Sequence, residues 1–235
     1  MLDCVELSRV FSSSSGFSEG LICPAGTDDS GSGALAGPVL AASVIIPKNE
    51  RTRLIRAGVC DSKAVRSTKA TEKTEYSSAE EIRLKLANLI KDVAISWAVG
   101  EVSVEEYNEL KNKNDAPMLA MQRSVLGLSV RPTLVLVDGA NEIPGIDIPQ
   151  QTFIGGDVVK LAISAASIIA KSARDTIMNE LAKKHTGYYF ERNKGYGGVR
   201  HKDHEYALYL YGVSPIHRDL PSITNRKYWE KNHAR

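Results

Sequence analysis

Compact apolar runs alternate with longer stretches in which apolar residues recur every three to four positions. Leu21 to Thr27, Pro38 to Ile46, Val93 to Val102, Thr133 to Val137 and Gln151 to Ile154 are short, largely Val, Ile, Leu and Ala, and bounded by turn-forming residues, which predicts five strands. Ser78-Ala79-Glu80-Glu81 has the form of a capping box, in which a Ser and the Glu three positions on exchange bonds with each other's backbone amides. Ile82, Leu86, Leu89 and Val93 then share one helical face. A second box, Ser103-Val104-Glu105-Glu106, predicts a shorter helix ending near Lys113. Met118 to Leu128 and Val158 to Ala182 continue the helical pattern, the latter with small residues suited to close packing. Strands interleaved with helices, without an internal repeat, predict a single α/β domain over residues 21–235. The Ser-rich residues 12–20 predict a flexible arm over residues 1–20.

Composition narrows the class without naming a function. The chain has 235 residues, 43% hydrophobic and 25% charged, enough to bury a sizeable core and unlike a disordered or collagen-like protein. A net charge of +2 does not mark a nucleic-acid binder, but the distribution is uneven. Residues 181–235 hold 11 Lys/Arg against 5 Asp/Glu together with all five histidines, interleaved with Tyr188, Tyr189, Tyr196 and Tyr206. A basic segment threaded with aromatics is compatible with a solvated face and also with nucleic-acid binding. Cys4, Cys23 and Cys60 form neither a CxxC nor a Cys/His cluster, so free thiols in a reducing compartment are expected. Asp3 and Glu6 interrupt a signal-peptide pattern, and the weakly polar run Leu161 to Ala170 is half a membrane span, so a cytoplasmic protein with no membrane partner is expected.

Candidate chemistry lies in acids at the ends of predicted strands. Asp28 and Asp29 close the first, just before Gly31-Ser32-Gly33; Asp138 closes the fourth before Gly139; Asp157 follows Gly155-Gly156 after the fifth. Each alone is compatible with a turn or helix cap. Together, at strand ends where α/β sheets gather ligands, they could converge. Crowded carboxylates repel unless a cation neutralises them, and hard oxygen ligands suit Mg²⁺ or Mn²⁺, two of which can clamp a phosphoryl displacement.

These residues resemble the type 2 ribonuclease H family, ribonuclease HII. Thr27-Asp28-Asp29-Ser30-Gly31-Ser32-Gly33-Ala34-Leu35-Ala36-Gly37-Pro38-Val39 resembles that family's first block. Asp61-Ser62-Lys63, Val137-Asp138-Gly139, Gly156-Asp157, Ser164 to Lys171, Arg174-Asp175, Lys194-Gly195-Tyr196-Gly197 with His201, and His217-Arg218 follow in family order. The resemblance implies a ribonuclease H-like mixed sheet flanked by helices with a helical C-terminal extension. It implies endonucleolytic cleavage of the RNA strand of RNA/DNA hybrids to 5′-phosphate and 3′-hydroxyl ends, by a protein that is monomeric in most bacterial members. It places the metal-binding acids on Asp28, Asp29, Asp138 and Asp157, with two Mg²⁺ or Mn²⁺ ions. Gly31, Ser32, Gly33 and Tyr196 would contact the ribose whose 2′-hydroxyl identifies RNA, and Lys63, Lys194 and the basic end would hold phosphates. Asp175 matches a recurrent family Asp, but a structural ion pair with Arg174 is expected of it.

Two departures fall inside the active block. Asp29 replaces the family's Glu and withdraws the carboxylate by one methylene, about 1.5 Å on a fixed backbone. A shifted loop, a bridging water or one weakly held metal could each accommodate that, with reduced activity or an altered metal preference as the expectation. Ser32 replaces the family's Arg, and resembles the Thr of the sister ribonuclease HIII family; weak cleavage at single embedded ribonucleotides is expected. Ala34 for Pro and Asn108 for a frequent Asp are further departures. These substitutions leave open a non-catalytic hybrid-binding protein, or a related nuclease acting on branched DNA.

Overall fold

The computed structural model describes residues 2–3, 23–59, 79–156, 160–198 and 201–220. Its centre is a five-stranded mixed sheet of β1 (Pro24–Ser30), β2 (Val39–Ile45), β3 (Ser96–Val102), β4 (Leu134–Asp138) and β5 (Gln150–Phe153), in the order β3-β2-β1-β4-β5. The first three strands form an antiparallel meander, while β4 runs parallel to both β1 and β5. The helices are α1 (Arg51–Arg56), α2 (Ala79–Val93), α3 (Val104–Glu109), α4 (Asp115–Leu126), α5 (Leu161–Lys184), α6 (Phe190–Asn193) and α7 (Lys202–Tyr211). A separate parallel pairing joins Leu2–Asp3 to Val130–Arg131.

Every residue of β2 is buried, because helices cover both sheet faces. Ala42 and Val44 pack with Leu86 and Ile90 of α2 and with Ala165 and Ile169 of α5, while Val39 and Ala41 pack with Ala120 and Met121 of α4. Successive strand residues point to opposite faces, so one run of Val, Leu and Ala serves two helical layers. The small residues of α5 let it lie directly on the sheet: a Cβ at Gly26 of β1 would sit 2.2 Å from the carbonyl carbon of Ala162.

Three boundaries differ from the sequence pattern. β1 continues through Asp28 and Asp29, which pair with Ala42 and Ala41 instead of ending the strand. Val93 ends α2, because the Ala94 amide still bonds to the Ile90 carbonyl, and β3 starts three residues later. α3 opens on its capping box, with Ser103 and Glu106 bonded reciprocally at 3.2 and 3.1 Å. It stops at Glu109 because Leu110 turns to extended backbone. The Asn112–Asp115 turn then starts α4, whose first turn tolerates Pro117 because amides there need no helical partner. Ser78, Asp61-Ser62-Lys63, Asp157 and residues 12–20 lie outside the described residues.

The helical C-terminal region packs back on the β1–β2 loop through Ala36, Met178, Tyr188, Phe190, Ala207 and Leu208. Cys23 is buried. Among the described residues no helix is long and apolar enough to cross a membrane.

Candidate active site

Strand register brings the first acids together. Thr27 lies opposite Val137 on the parallel β1–β4 pair, so the next residues, Asp28 and Asp138, are neighbours at the carboxyl ends of two parallel strands. Thr27 and Val137 face α4, where Thr27 meets Ser124 and Val137 joins the α4 core. Alternation therefore turns Asp28 and Asp138 toward α5, whose Ser167 hydrogen-bonds Asp28. Asp28 is 5% exposed and its carboxylate accepts the Asp29 amide at 2.7 Å. Asp138 accepts the Gly156 amide at 2.7 Å, which fixes the turn leading toward Asp157. Burial, reinforced by the charges of Asp138 and Asp29, pushes the Asp28 carboxyl up to about 8 against the pull of the Ser167 bond.

A proton or a cation relieves this crowding. The donors are hard carboxylate oxygens at the wall of a polar cleft of about 690 Å³. Among the described residues no three His, Cys, Asp or Glu side chains close around an ion by themselves. Hard carboxylate oxygens suit Mg²⁺ or Mn²⁺, which keep several waters and need only one or two carboxylates each.

The rest of the cleft wall includes Gly31, Ser32, Lys171, Asp175, Tyr196 and His201. The loop carrying Gly31 and Ser32 is held from beneath by two buried arginines, which the sequence reading named only within the Arg174-Asp175 and His217-Arg218 blocks and gave no role toward this loop. Arg174 donates to the carbonyls of Pro38, Lys194 and Ala36 at 3.1, 2.9 and 3.0 Å, and its guanidinium lies 4.9 Å from the Tyr196 ring. Arg218 donates to the carbonyls of Gly37, Ser32 and Pro38 at 3.0, 3.1 and 3.1 Å. They are 0% and 1% exposed. Burial lowers both guanidinium pKa values, that of Arg218 to about 10. A signal for Arg174 was present, since it stands four residues from both Ala170 and Met178 on the buried stripe of α5.

Asp175 does form a structural ion pair, but its bonded partners are Lys171 at 2.6 Å and Arg83 at 3.3 Å, while Arg174, which acts on it only through its charge, donates to loop carbonyls. Helix geometry explains the correction: residues one apart diverge by about 100°, whereas Lys171 and Asp175 are four apart on one face. Lys194 lines the cleft, but its ammonium is held by Glu80 Oε2 at 3.0 Å, the Glu191 carbonyl at 2.8 Å and Asn179 Oδ1. Gly33 is exposed beside Ser32, and Lys63 and Asp157 lie outside the described residues. Two of the sequence departures have local roles. The Ala34 amide, which a proline would lack, closes the turn onto the Gly31 carbonyl at 3.1 Å, and Asn108 Oδ1 accepts the Asp219 amide at 2.7 Å.

A mixed sheet with acids at its parallel strand ends, beside a glycine loop, fits the class of divalent-metal-dependent nucleases of ribonuclease H-like fold. The family model described as Ribonuclease HII matches residues 25–229, and the chain belongs to that family. Ribonuclease HII of Trichodesmium erythraeum is 48% identical over 194 residues, covering 83% of this chain and 84% of that protein. Ribonuclease HII of Endomicrobium trichonymphae is 39% identical over 212 residues, covering 90% and 91%. Among solved structures, ribonuclease H2 from Pyrococcus horikoshii has the same fold at a TM-score of 0.67 and 24% identity, over 88% of this chain and 97% of that one. Bst ribonuclease HIII in complex with Mn²⁺ matches at 0.61 and 18%, over 88% and 73%. The protein is thus a ribonuclease H, an endonuclease acting on RNA/DNA hybrids.

Proposed function

We propose that Asp28, Asp29, Asp138 and Asp157 hold two divalent cations, and that the RNA strand is cut beside them to leave 5′-phosphate and 3′-hydroxyl ends. The observation that carries this reading is the register placing Asp28 beside Asp138 at the ends of parallel strands. When bound, such ions activate water and neutralise charge on the phosphoryl oxygens. The chain's own residues hold and present the substrate. Asp28 gives up its proton to charge the site, and Ser167 and the Asp29 amide then stabilise its carboxylate. Arg174 and Arg218 draw the carbonyls of Ser32, Ala36, Gly37 and Pro38 inward, which leaves the outer edge of the loop for a sugar approaching Gly31, Ser32 and Gly33. Tyr196, gripped from below by Arg174, supplies the flat face against that ribose.

Lys63 and the basic C-terminal segment hold phosphates, making binding salt-dependent. Lys194, already paired with Glu80, acts by fixing the turn before Tyr196. Ser32 brings no long cationic donor to the loop, so the enzyme prefers continuous hybrids to a lone ribonucleotide in duplex DNA.

The test uses two labelled duplexes, a long RNA/DNA hybrid and a DNA duplex holding one ribonucleotide, each with Mg²⁺, Mn²⁺ or chelator. Metal-dependent cutting of the hybrid is expected. Asp138→Asn keeps an acceptor for the Gly156 amide but loses the charge, and should cut at least ~10²-fold more slowly. Equal rates on the two duplexes would refute the substrate preference, and full activity of Asp138→Asn would refute the metal assignment.

A further inference from the structure

Behind Tyr196 lies a chain of buried polar contacts that the metal chemistry does not use. His204 Nδ1 is 2.9 Å from the Tyr196 carbonyl oxygen, and His204 Nε2 is 3.0 Å from His217 Nε2. His217 Nδ1 is 2.8 Å from the Ser214 backbone nitrogen. The two histidines are 0% and 5% exposed, set among Phe190 and Tyr188 at ring separations of 5.0 to 5.6 Å.

Ser214 Oγ is also 2.8 Å from His217 Nδ1, and one arrangement of protons, with that hydroxyl donating, satisfies all four contacts. The Ser214 amide can only donate, so His217 Nδ1 accepts and the His217 proton sits on Nε2. That N–H points at His204 Nε2, which must therefore be bare. The His204 proton is left on Nδ1, where it donates to the Tyr196 carbonyl. A further proton on either ring sets N–H against N–H. Consistently, burial keeps both imidazoles neutral, lowering His204 despite nearby Asp203 and Glu205, and lowering His217 to about 4.

The chain joins the two halves of the ribose-reading surface. His217 sits in a short antiparallel bridge with Ala36, flanked by bonds from the Gly37 amide to the Ile216 carbonyl and from the Arg218 amide to the Leu35 carbonyl. His204 is on α7, and Tyr196 follows Lys194 and Gly195, both at positive φ. We infer that His204 and His217 are positioning residues for ribose selection: a pair with fixed tautomers that sets the Tyr196 backbone relative to the Gly31–Gly33 loop. The inference rests on the reading that Tyr196 contacts the ribose. Neither histidine lines the cleft.

The test exploits which nitrogen each substitute can imitate. His204→Asn reproduces the Nδ1 donor toward Tyr196, whereas His204→Gln reproduces only the far end of the ring. On a long hybrid with Mg²⁺, His204→Asn, which keeps the bond to Tyr196 but loses that to His217, should lower kcat ~3- to 10-fold, and His204→Gln should lower it ~10- to 100-fold with KM nearly unchanged, as expected for a misplaced rather than missing contact. Equal kcat for the two variants, whether high or low, would overturn the inference. Should His204→Gln fail to fold, imidazole ¹⁵N NMR of the unaltered protein decides. His204 protonated on Nδ1 and His217 on Nε2 is the expected result, and any other pair of tautomers overturns it. Tyr196→Ala separates the two levels. If it cuts hybrid as the unaltered enzyme does, the ribose reading fails; if it is crippled while the Asn and Gln variants match, only the histidine inference fails.

Discussion

Gly31 and Gly33 belong to one short motif, yet the structure assigns them opposite sensitivities. Gly31 is buried at φ +92°, and a Cβ there would lie 2.1 Å from Nε of Arg174. Gly33 is exposed, and a Cβ there meets no atom within 4 Å. Gly31→Ala carries a left-handed backbone cost of ~1–2 kcal/mol. It also displaces a fully buried guanidinium that makes three bonds to carbonyls. Bonds to a charged group contribute ~1.5–3 kcal/mol each, so losing even one brings the total to about 3–5 kcal/mol. Gly33→Ala should stay within about 0.5 kcal/mol, as surface substitutions do.

Urea unfolding of the metal-free protein reads both changes, since m-values of ~2–3 kcal/mol/M turn the Gly31 loss into a midpoint shift of roughly 1–2 M. The activity readout separates the same pair differently. Gly33→Ala places a methyl where the sugar approaches and should raise KM on hybrid without moving the midpoint. Equal midpoint shifts for the two variants, or a Gly31→Ala protein as stable as the unaltered one, would refute the account of Arg174 as the support of this loop.

The Asp28 carboxyl gives a pH prediction. The fold holds its proton up to about pH 8, whereas the unfolded chain releases it near 3.8, so the metal-free fold loses stability as pH rises through that window. Asp28→Asn should therefore stabilise the metal-free protein at pH 8, on the order of 1–3 kcal/mol, with the advantage vanishing near pH 4; a pH-independent difference would contradict this. Mn²⁺ should displace the same proton, so calorimetric titration at pH 7 in buffers of different ionisation enthalpy should show proton release, lost in Asp28→Asn. Asp175→Asn strands Lys171 and Arg83 around a site 2% exposed and should cost about 2–4 kcal/mol in urea unfolding. A loss under 1 kcal/mol there would mean that solvent already screens the network.

Much of this molecule is written locally. Short continuous apolar runs locate the five strands, the Ser103–Glu106 box locates its helix, and the small residues of α5 anticipate its close seat on Gly26. The acids at strand ends, flanked by glycines, were visible as a set, and the resemblance of the surrounding blocks supplied their chemistry. Local pattern misplaced the end of β1, because an Asp reads as a strand terminator unless the partner strand is known. It also paired Asp175 with its neighbour Arg174, because adjacency in sequence says nothing about which side of a helix a residue occupies.

The sequence by itself determined the helical periodicities, the short apolar strand runs and the identity of the acids. All of these depend on residue type and on contacts within a few positions. Only the tertiary structure decided that Asp28 stands beside Asp138, that Lys194 pairs with Glu80, and that His204 and His217 meet within hydrogen-bond distance behind Tyr196. Arg174 and Arg218 meet the Pro38 carbonyl across 136 and 180 residues. A hydrogen-bond partner that distant is chosen by strand register and helix packing, which exist only once the chain has closed on itself.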